Sequence, residues 1–328
     1  MAKKKRISQA ISEAIMEEMT RDEHVVMIGE DVESGMSGNT IGLLDKFGKG
    51  RVVNTPISEA AYTGMAIGAA MKGVRPVIEY CINTLQYVSM EMLVNQAAKL
   101  RYMTGGQISI PMTAIVSMSG AGISCAAQHS DSTWAQLIHM GMKVIVPSGP
   151  IDAKGLMKAA IRDNDPVVVY LPALALGVAE ELPEEDYIIP LGQGKVKKEG
   201  TDLTIVAVGH MVPEAMKVAK MYEEKGISIE VIDPRTLYPL DINMILDSVK
   251  KTGKVIVTDD GYRLCSWSSE VAATISEEAF GSLKAPVKRI TRPMTFIPYS
   301  RPLEWTTFPY TGQLMDGVAE LTGIKIEK

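Results

Sequence analysis

Short, β-rich apolar runs alternate with helix-period segments along most of this chain, and this alternation constrains the fold more than any other feature. An apolar run of about four to eight residues is typical of a strand buried on both faces of a parallel sheet. The strands predicted in this way are residues 25–29, 76–80, 112–116, 143–146, 167–170, 203–208, 229–232, 255–258 and 287–290. The predicted helices lie near residues 8–20, 59–72, 87–103, 152–162, 213–225, 241–251 and 266–279. The pattern predicts an α/β protein whose mainly parallel sheets carry helices on both faces.

The alternation stops between about residues 173 and 200, where a run of acidic residues and several glycines replace it. We therefore predict two domains, residues 1–178 and 201–328, joined by a linker at residues 179–200. Each domain is expected to contain its own mainly parallel sheet flanked by helices. The length of 328 residues suits about two domains of roughly 150 residues each.

Charge and cysteine content exclude several classes of protein. The chain has 34 Lys and Arg against 39 Asp and Glu, a net charge of −5, so we expect no nucleic-acid partner. Its three cysteines lie far apart, which fits neither a disulfide framework nor a zinc site and favours a reducing compartment. The sequence contains no apolar stretch long enough to cross a membrane, and we expect no signal peptide. We expect a cytoplasmic protein without a membrane partner, and a processed organellar form is the alternative.

Glu59 is the first candidate for chemistry, because it stands at the expected start of a helix. Pro56 and Ser58 are typical of a turn or of a helix start. Gly64 and Gly68 lie on one face of that helix, where they would let another backbone approach closely. This arrangement presents a single carboxylate at a packed junction. The structural alternative is an acid that only stabilises the positive end of the helix dipole.

His129 is the second candidate, in a small polar loop that follows the glycine-rich turn at residues 120–122. An imidazole exchanges protons near neutral pH, so a histidine in such a loop can act as an acid or a base. A surface position without a function is the alternative for a single loop histidine. Of the other three, His24 and His210 stand at element edges, and His139 either packs or orients a site.

A set of short segments occurs in a fixed order along the chain and resembles one enzyme family. The segments are residues 28–32, 47–52, 54–59, 73–76, 97–103, 127–130, 143–148, 152–156, 160–166 and 231–236. Together they resemble the beta subunit of the thiamin-diphosphate-dependent decarboxylase component of 2-oxo acid and acetoin dehydrogenase complexes, in the transketolase-like superfamily. The resemblance covers nearly the whole chain. It implies a transketolase-like pyrimidine-binding domain followed by a transketolase C-terminal domain.

The resemblance implies that the chain works only with a partner. In this family an alpha subunit binds the diphosphate of the cofactor and Mg²⁺ through a Gly-Asp-Gly motif followed by a distant Asn. This sequence has a near match at Asp259-Asp260-Gly261, but no Asn follows it. The family assembles as an alpha2beta2 heterotetramer, which transfers an acyl group to lipoyl-lysine of an acyltransferase core.

The resemblance also implies roles for individual residues. Glu59 is expected to hold the N1′ nitrogen of the aminopyrimidine ring of thiamin diphosphate, while His129 donates protons to intermediates or to the lipoyl acceptor. Glu30, Ile57 and Leu85 are expected beside that ring, and for Glu30 the alternative is a strand-end acid in a solvated loop. A structural K⁺ is also implied, and a plain helix C-terminus is the alternative at that segment. The expected K⁺ ligands, mostly backbone oxygens, belong to Met112, Ala160, Ile161, Asp163 and Asp165.

Four departures from the family leave the substrate open. Leu85 stands where relatives place a Phe, and Asp131 stands where Gln usually follows His-Ser. Residues 259–267 replace a glycine-rich turn of relatives, and residues 171–176 are apolar where relatives carry basic residues. A pyruvate-type 2-oxo acid is the main hypothesis, and uncharged acetoin fits these changes at least as well. Further alternatives are a non-catalytic assembly subunit and a split transketolase. The last is disfavoured because a sugar phosphate requires basic residues.

Overall fold

The computed structural model describes residues 4–120 and 122–327, and of Leu85 it describes the backbone alone. The strands are β1 (Lys5–Arg6), β2 (Val25–Gly29), β3 (Val52–Asn54), β4 (Arg75–Tyr80), β5 (Thr113–Ser119), β6 (Lys143–Ile145), β7 (Val167–Pro172), β8 (Ala179–Glu180), β9 (Lys195–Lys198), β10 (Leu203–Ala207), β11 (Ile229–Asp233), β12 (Thr236–Tyr238), β13 (Val255–Tyr262) and β14 (Lys288–Arg292).

The α-helices are α1 (Ile7–Arg21), α2 (Leu43–Phe47), α3 (Glu59–Ala70), α4 (Leu100–Met103), α5 (Ala126–His129), α6 (Trp134–His139), α7 (Pro150–Arg162), α8 (Met211–Glu223), α9 (Ile242–Thr252), α10 (Trp267–Glu278), α11 (Arg301–Glu304) and α12 (Thr311–Thr322). Short 3-10 helices lie at Asn83–Ser89, Ala173–Ala175 and Phe280–Ser282, and a π-helix lies at Glu91–Ala97. Within residues 4–120 and 122–327, none of the helices has the length and apolar character needed to cross a membrane.

Among the described residues, seven strands form the sheet of the first domain, in the order β12-β6-β7-β5-β4-β2-β3. Neighbouring strands are parallel except β12, which pairs antiparallel with β6. In β7, Val168 and Tyr170 belong to the core on the side of α3, whereas Val167 and Val169 belong to the core on the side of α1 and α7. Because the strand is buried on both faces, its sequence is a continuous apolar run.

The second domain is built on a smaller sheet. In the described part of the chain its strand order is β14-β13-β10-β11-β9. Its neighbours are parallel except β9, which pairs antiparallel with β11. The predicted architecture of two α/β domains with mainly parallel sheets is therefore confirmed. Strand β9 lies inside the segment assigned to the linker, residues 179–200, and the domain boundaries stay a prediction.

The two domains share one continuous buried core. A single apolar cluster extends from Val144 in the first sheet to Val206 in the second. Strand β12 follows the second-domain strand β11 in the chain, yet it extends the first sheet. Between these strands, Arg235 donates from Nη1 to Asp152 Oδ1 at 3.0 Å and from Nη2 to the carbonyl oxygen of Gln193 at 2.8 Å. Apolar packing, strand pairing and an ion pair thus fix the second domain on the first.

The single helix predicted at residues 87–103 is wrong. The chain instead forms the 3-10 helix Asn83–Ser89, the π-helix Glu91–Ala97 and the short α4. Buried polar side chains account for this path, because Gln86 donates to the Thr133 hydroxyl and accepts from the Tyr170 hydroxyl at 2.9 Å. Buried polar groups must be hydrogen-bonded, so the backbone follows these partners rather than regular α geometry. Single π turns of this kind are frequent at functional sites.

A network of charges connects α1 to α7. The ammonium group of Lys154, almost fully buried, lies 2.6 Å from Glu13 Oε1 and 2.8 Å from Glu17 Oε1. Lys158, also buried, lies 2.7 Å from Glu17 Oε2 and contacts Asp186. Burial opposes ionisation of Glu17, but the hydrogen bonds from Lys154 and Lys158 outweigh it and hold the pKa of Glu17 below its usual range. Glu17 therefore compensates two buried cations at once.

We predict that Glu17→Gln lowers the free energy of unfolding by about 1–2 kcal/mol at pH 7, because it leaves buried cations with fewer partners. This loss of unfolding free energy is smaller than the loss expected for a fully buried ion pair. Glu17 is partly exposed, and each lysine keeps one other acidic partner. Since the folded-state pKa is lowered, the stabilisation is present above the ordinary carboxyl pKa of 4.5 and disappears as the pH falls through the folded-state pKa. Urea unfolding at several pH values from 7 down to 4 measures it.

The matched control is Glu223→Gln, which removes an exposed pair in which Lys198 Nζ lies 2.9 Å from Glu223 Oε1. We expect this control to cost less than about 1 kcal/mol at pH 7. Equal losses in the two variants at pH 7 would show that burial of the lysines contributes nothing to the network.

Candidate active site

Three segments meet at the carboxyl edge of the first sheet. Glu30 directly follows β2, Cys81 directly follows β4, and Glu59 is the first residue of α3. Strands β2 and β4 are parallel neighbours, so their carboxyl ends lie side by side. The carboxyl edge of a parallel sheet is where α/β proteins commonly bind ligands. The fold thus brings together Glu30 and Glu59, two of the acids singled out in the sequence.

Glu59 lies buried at the beginning of α3. Its side chain is 5% exposed, and the preceding residue, Ser58, makes no capping hydrogen bond through its side chain. The amide groups in the first turn of a helix favour a negative charge, so the helix stabilises this carboxylate. The close backbone approach expected at Gly64 and Gly68 is not made by the described residues. A Cβ at Gly64 would have a side-chain atom, Met92 Sδ, as its nearest neighbour outside the helix backbone, at 3.4 Å. For a Cβ at Gly68, no such neighbour among the described residues lies within 4 Å.

Glu30 has a carboxyl oxygen that is buried and has no hydrogen-bond partner among the described residues, Oε2. Burial raises the pKa of Glu30, and the charges of Glu59 and Asp31 raise it further. The Cys81 thiol donates to the carbonyl oxygen of Glu30 at 3.3 Å. Burial, with the neighbouring acids, raises the pKa of Cys81 to about 12, so the thiol stays neutral. The edge is therefore rich in acceptor oxygens and poor in donors.

A third acid, Glu79, lies in β4 and was not singled out in the sequence. Its Oε1 accepts hydrogen bonds from Asn39 Nδ2 and from Ser117 Oγ, both at 2.7 Å. Asn39 also donates to Ser117 Oγ at 2.8 Å. The signal available in the sequence was a single charged residue inside an apolar strand. Because its partners satisfy it, this buried carboxylate supports the sheet edge.

Of the two apolar candidates, Ile57 and Leu85, the structure describes the side chain of Ile57 alone. Ile57 lies in the turn before α3 and is 78% exposed, which is unusual for an isoleucine beside a buried acid. The side chain of Leu85 lies outside the described part of the structure, although its backbone belongs to the 3-10 helix Asn83–Ser89. That helix contacts α3 through a hydrogen bond of 3.1 Å between the Thr63 and Ser89 hydroxyls.

His129 ends the short helix α5 in the loop that follows β5. Strand β5 is the parallel neighbour of β4, so this loop leaves the same edge of the sheet as Cys81. The Thr84 hydroxyl donates to the carbonyl oxygen of Gln128, which fastens the loop to the 3-10 helix Asn83–Ser89. The Nδ1 atom of His129 is buried and has no hydrogen-bond partner among the described residues. An imidazole and an acid with an unsatisfied oxygen, Glu30, therefore lie at one edge of the sheet.

Asp131, the unusual acid of the His129 loop, faces the second domain. Burial raises its pKa, and the nearby Asp260 carboxylate adds to this, while the Arg292 guanidinium acts in the opposite direction. Its Oδ1 accepts from the amide of Ser132 at 2.8 Å, and the Tyr87 hydroxyl donates to Oδ2 at 3.4 Å. The charged groups that act on Asp131 thus belong to β13 and β14.

The segment expected to bind K⁺ lies at the C-terminal end of α7. One nitrogen of Arg75, Nη1, donates to the carbonyl oxygens of Ile161 at 3.0 Å and Asp163 at 2.9 Å. Lys143 lies 2.8 Å from the Asp163 carboxylate and 3.1 Å from that of Asp165. The remaining expected ligands are also engaged, since the Met112 carbonyl accepts from Val167 and the Ala160 carbonyl from Asp163. Protein cations already contact part of the oxygen set. Within residues 4–120 and 122–327, no group of three or more His, Cys, Asp or Glu side chains could hold a metal ion.

Comparison with known proteins identifies both domains. Residues 3–178 match the transketolase pyrimidine binding domain, and residues 192–313 match the transketolase C-terminal domain. A solved split-gene transketolase, described as an inactive beta4 tetramer, superposes with a TM-score of 0.79 over 98% of this chain and 99% of that one. At 23% identity this likeness shows the fold alone.

Sequence relatives are closer. The chain is 41% identical to the acetoin:2,6-dichlorophenolindophenol oxidoreductase subunit beta of Bacillus subtilis over 98% of both chains. It is 43% identical to the pyruvate dehydrogenase E1 component subunit beta of that organism, over 89% of this chain and 91% of the relative. The 2-oxoisovalerate dehydrogenase subunit beta of the same organism is 40% identical, over 90% and 91%. The family predicted from the ordered segments is confirmed. The chain belongs to the transketolase-like thiamin-diphosphate enzymes, in the family of oxidoreductase beta subunits that includes those of acetoin, pyruvate and 2-oxoisovalerate dehydrogenases.

Proposed function

We propose that this chain forms one half of a thiamin-diphosphate active site in an alpha2beta2 heterotetramer. The assembly decarboxylates a pyruvate-type 2-oxo acid and transfers the acyl group to lipoyl-lysine of an acyltransferase core. The observation that carries this proposal is the pair of acids at the sheet edge. Glu59 is buried at a helix start, and near it Glu30 has a raised pKa and an oxygen to which none of the described residues donates.

The residues at this edge fit an aminopyrimidine ring. A ring nitrogen that carries a proton and an exocyclic amino group are donors, and Glu59 and Glu30 are acceptors. Unsatisfied buried acceptors are unfavourable until a donor reaches them, so a ligand of this kind stabilises the edge. Ile57, 78% exposed, offers an apolar surface that a ring and a second chain would cover together.

The chemistry of the reaction comes from the cofactor, which when bound supplies a carbon nucleophile and accepts the electrons released by decarboxylation. Glu59 orients the ring by accepting a hydrogen bond from its protonated nitrogen. Glu30, whose pKa is raised by burial and by the charge of Glu59, holds a proton more readily than an ordinary carboxyl group. His129 exchanges a proton with the intermediate or with the lipoyl acceptor.

An alpha partner completes the site. The sequence contains no Gly-Asp-Gly motif, so we assign the binding of the diphosphate and Mg²⁺ to the alpha subunit. Large apolar side chains lie exposed on the first domain, as expected for a surface that another chain covers. They are Ile57, Met65, Met71, Val88, Tyr102 and Met103.

Acetoin is a second candidate substrate. The segment that lacks the basic residues of the family forms the end of β7 and the 3-10 helix Ala173–Ala175, and Leu171 and Ala175 are buried. A negatively charged substrate finds no cation there, whereas acetoin is uncharged. The Bacillus subtilis relative that matches 98% of this chain acts on acetoin by its name.

Two further expectations stay proposals. A K⁺ near Ile161 and Asp163 would share their carbonyl oxygens with Arg75. A melting temperature that is higher in potassium chloride than in choline chloride would support this ion, and equal values would remove it. A cytoplasmic location is supported by three free thiols, Cys81, Cys125 and Cys265, and fractionation of cells that produce the chain would test it.

We predict that Glu59→Gln lowers turnover by about 10²-fold or more. A neutral amide lacks the negative charge with which the carboxylate would stabilise the protonated nitrogen of the cofactor ring. The chain is co-expressed with the alpha chain encoded beside it. Dye reduction by the resulting complex is then measured in the presence of thiamin diphosphate and Mg²⁺. The substrate panel contains pyruvate, branched-chain 2-oxo acids, 2-oxoglutarate and acetoin. Activity with one member, lost in the variant, would fix both mechanism and specificity.

The matched control is Glu91→Gln, which changes an exposed acid in the first turn of the π-helix Glu91–Ala97. We expect its turnover to equal that of the unaltered chain. Near-normal turnover of Glu59→Gln would reject the assignment of Glu59. If a well-formed complex binds no thiamin diphosphate in calorimetric titration, the non-catalytic assembly subunit becomes the better interpretation.

We predict that His129→Gln separates the two halves of the reaction. Transfer to a lipoylated acceptor should fall by about 10²-fold, because the donor of the proton is lost, while dye reduction falls by less than about tenfold. His139→Gln is the control and should leave both rates unchanged. Equal losses in the two assays would assign His129 to a step before transfer.

A further inference from the structure

A buried carboxylate of the second domain holds the loop that carries His129. We call residues 122–132 the His129 loop. Glu304, the last residue of α11, is fully buried, and its Oε1 accepts from the amide of Gly122 at 2.8 Å. Its Oε2 accepts from the amide of Ser124 at 3.1 Å and from the Ser124 hydroxyl at 3.2 Å. The two ends of this contact are about 180 positions apart in the sequence.

The loop needs such external support. Ser124 and Ala126 have φ values of 54° and 61°, a backbone conformation that non-glycine residues rarely adopt and that is unfavourable by about 1 kcal/mol or more each. Helix α5 has four residues, which is too short to be stable by itself. Groups outside the loop must therefore determine where His129 lies.

The far end of the loop is also fixed by the second domain. The Ser132 hydroxyl donates to Asp260 Oδ2 at 3.0 Å. A Cβ at Gly120, just before the loop, would lie 2.2 Å from the same oxygen, so this close contact requires a glycine. Two carboxylates, from α11 and β13, thus hold the two ends of the His129 loop, while the Nδ1 of His129, between them, has no partner in the described part of the chain.

We propose that Glu304 is a positioning residue for the reaction, which orients His129 toward the reacting groups. This inference rests on the proposed function. An ionised carboxylate accepts hydrogen bonds at both oxygens and satisfies two amides and a hydroxyl at once. A glutamine would offer one acceptor oxygen, and its amino group would face a donor of the loop. The carboxylate therefore fixes the loop in a way that the isosteric amide does not.

Hydrogen exchange tests the structural half of the proposal without any turnover. In Glu304→Gln we expect the amides of the His129 loop to exchange about tenfold faster or more, since hydrogen bonds to a charged group are lost. Ser124→Ala removes only the hydroxyl contact and should give a smaller increase. The matched control is Glu230→Gln, a buried acid of the same domain that accepts from the amide of Gly200 at 3.2 Å. It should leave exchange in the His129 loop unchanged.

Kinetics of the complex with the alpha chain test the functional half. For Glu304→Gln we expect kcat for transfer to a lipoylated acceptor to fall by up to about 10²-fold, because the proton donor is displaced, while dye reduction falls by less than about tenfold, as in His129→Gln. We expect KM and the dissociation constant of thiamin diphosphate to stay within about twofold, because Glu59 lies on another element. Glu230→Gln should keep the unaltered kcat. Unchanged loop exchange in Glu304→Gln overturns the proposal, and so does faster exchange without loss of kcat relative to Glu230→Gln.

Failure of the proposed function can be distinguished from failure of the role proposed for Glu304. If the unaltered complex turns over no substrate, the proposed function is at fault. The exchange comparison then still decides whether Glu304 holds the His129 loop: faster exchange confined to Glu304→Gln and Ser124→Ala supports the anchor, and equal exchange in all variants overturns it. An unfolded Glu304→Gln is recognised by exchange throughout the chain, and Ser124→Ala then provides the decisive comparison.

Discussion

Parallel pairing of β2, β4 and β5 is the constraint on which the candidate site depends. Parallel strands all end at one edge of a sheet, so the residues that follow them converge however far apart they lie in the sequence. The register places Gly29 opposite Glu79, and Tyr80 opposite Val116. Glu30, Cys81 and the loop of His129 therefore leave the sheet together. A shift of one residue in this register would move each side chain of a strand to the opposite face of the sheet and would change which residues meet at this edge.

The three acids at this edge show how burial decides what a carboxylate does. Glu79 accepts hydrogen bonds from Asn39 and Ser117, and these bonds offset the free-energy cost of burying its carboxylate. Glu30 lacks a donor at Oε2 and carries a raised pKa, and Glu59 is supported by a helix N-terminus. Buried polar groups are ordinarily satisfied, so an unsatisfied one indicates a place where a ligand or partner contributes the missing donors. Glu79, satisfied inside the chain, thus differs from Glu30, whose Oε2 has no partner among the described residues.

The sequence predicted the features that depend on local pattern. The apolar runs identified the parallel strands because a strand buried on both faces leaves no room for polar residues, and the turn before Glu59 identified the start of α3. Features that depend on distant partners were missed. The 3-10 helix Asn83–Ser89 is held by hydrogen bonds of Gln86 with Thr133 and Tyr170, and β12 joins the sheet of the other domain. Glu304 carries no local signal at all, because its partners at Gly122 and Ser124 come from another domain.

The candidate site lacks a hydrogen-bond donor for the Oε2 of Glu30 among the described residues, and this affects how a cofactor and a partner subunit would stabilise the chain. Ile57 is exposed, and Glu30 has a buried oxygen without a partner among the described residues. In the proposed assembly, a cofactor that brings donors and a subunit that covers the apolar surface would each stabilise the folded chain, because each would bind it in preference to the unfolded chain. Meanwhile the second domain, through Glu304 and Asp260, holds the His129 loop before either arrives. In the proposed assembly the cofactor would bring Glu30 its missing donor, whereas the His129 loop is already held within the chain, so completion of the site would require little ordering of that loop.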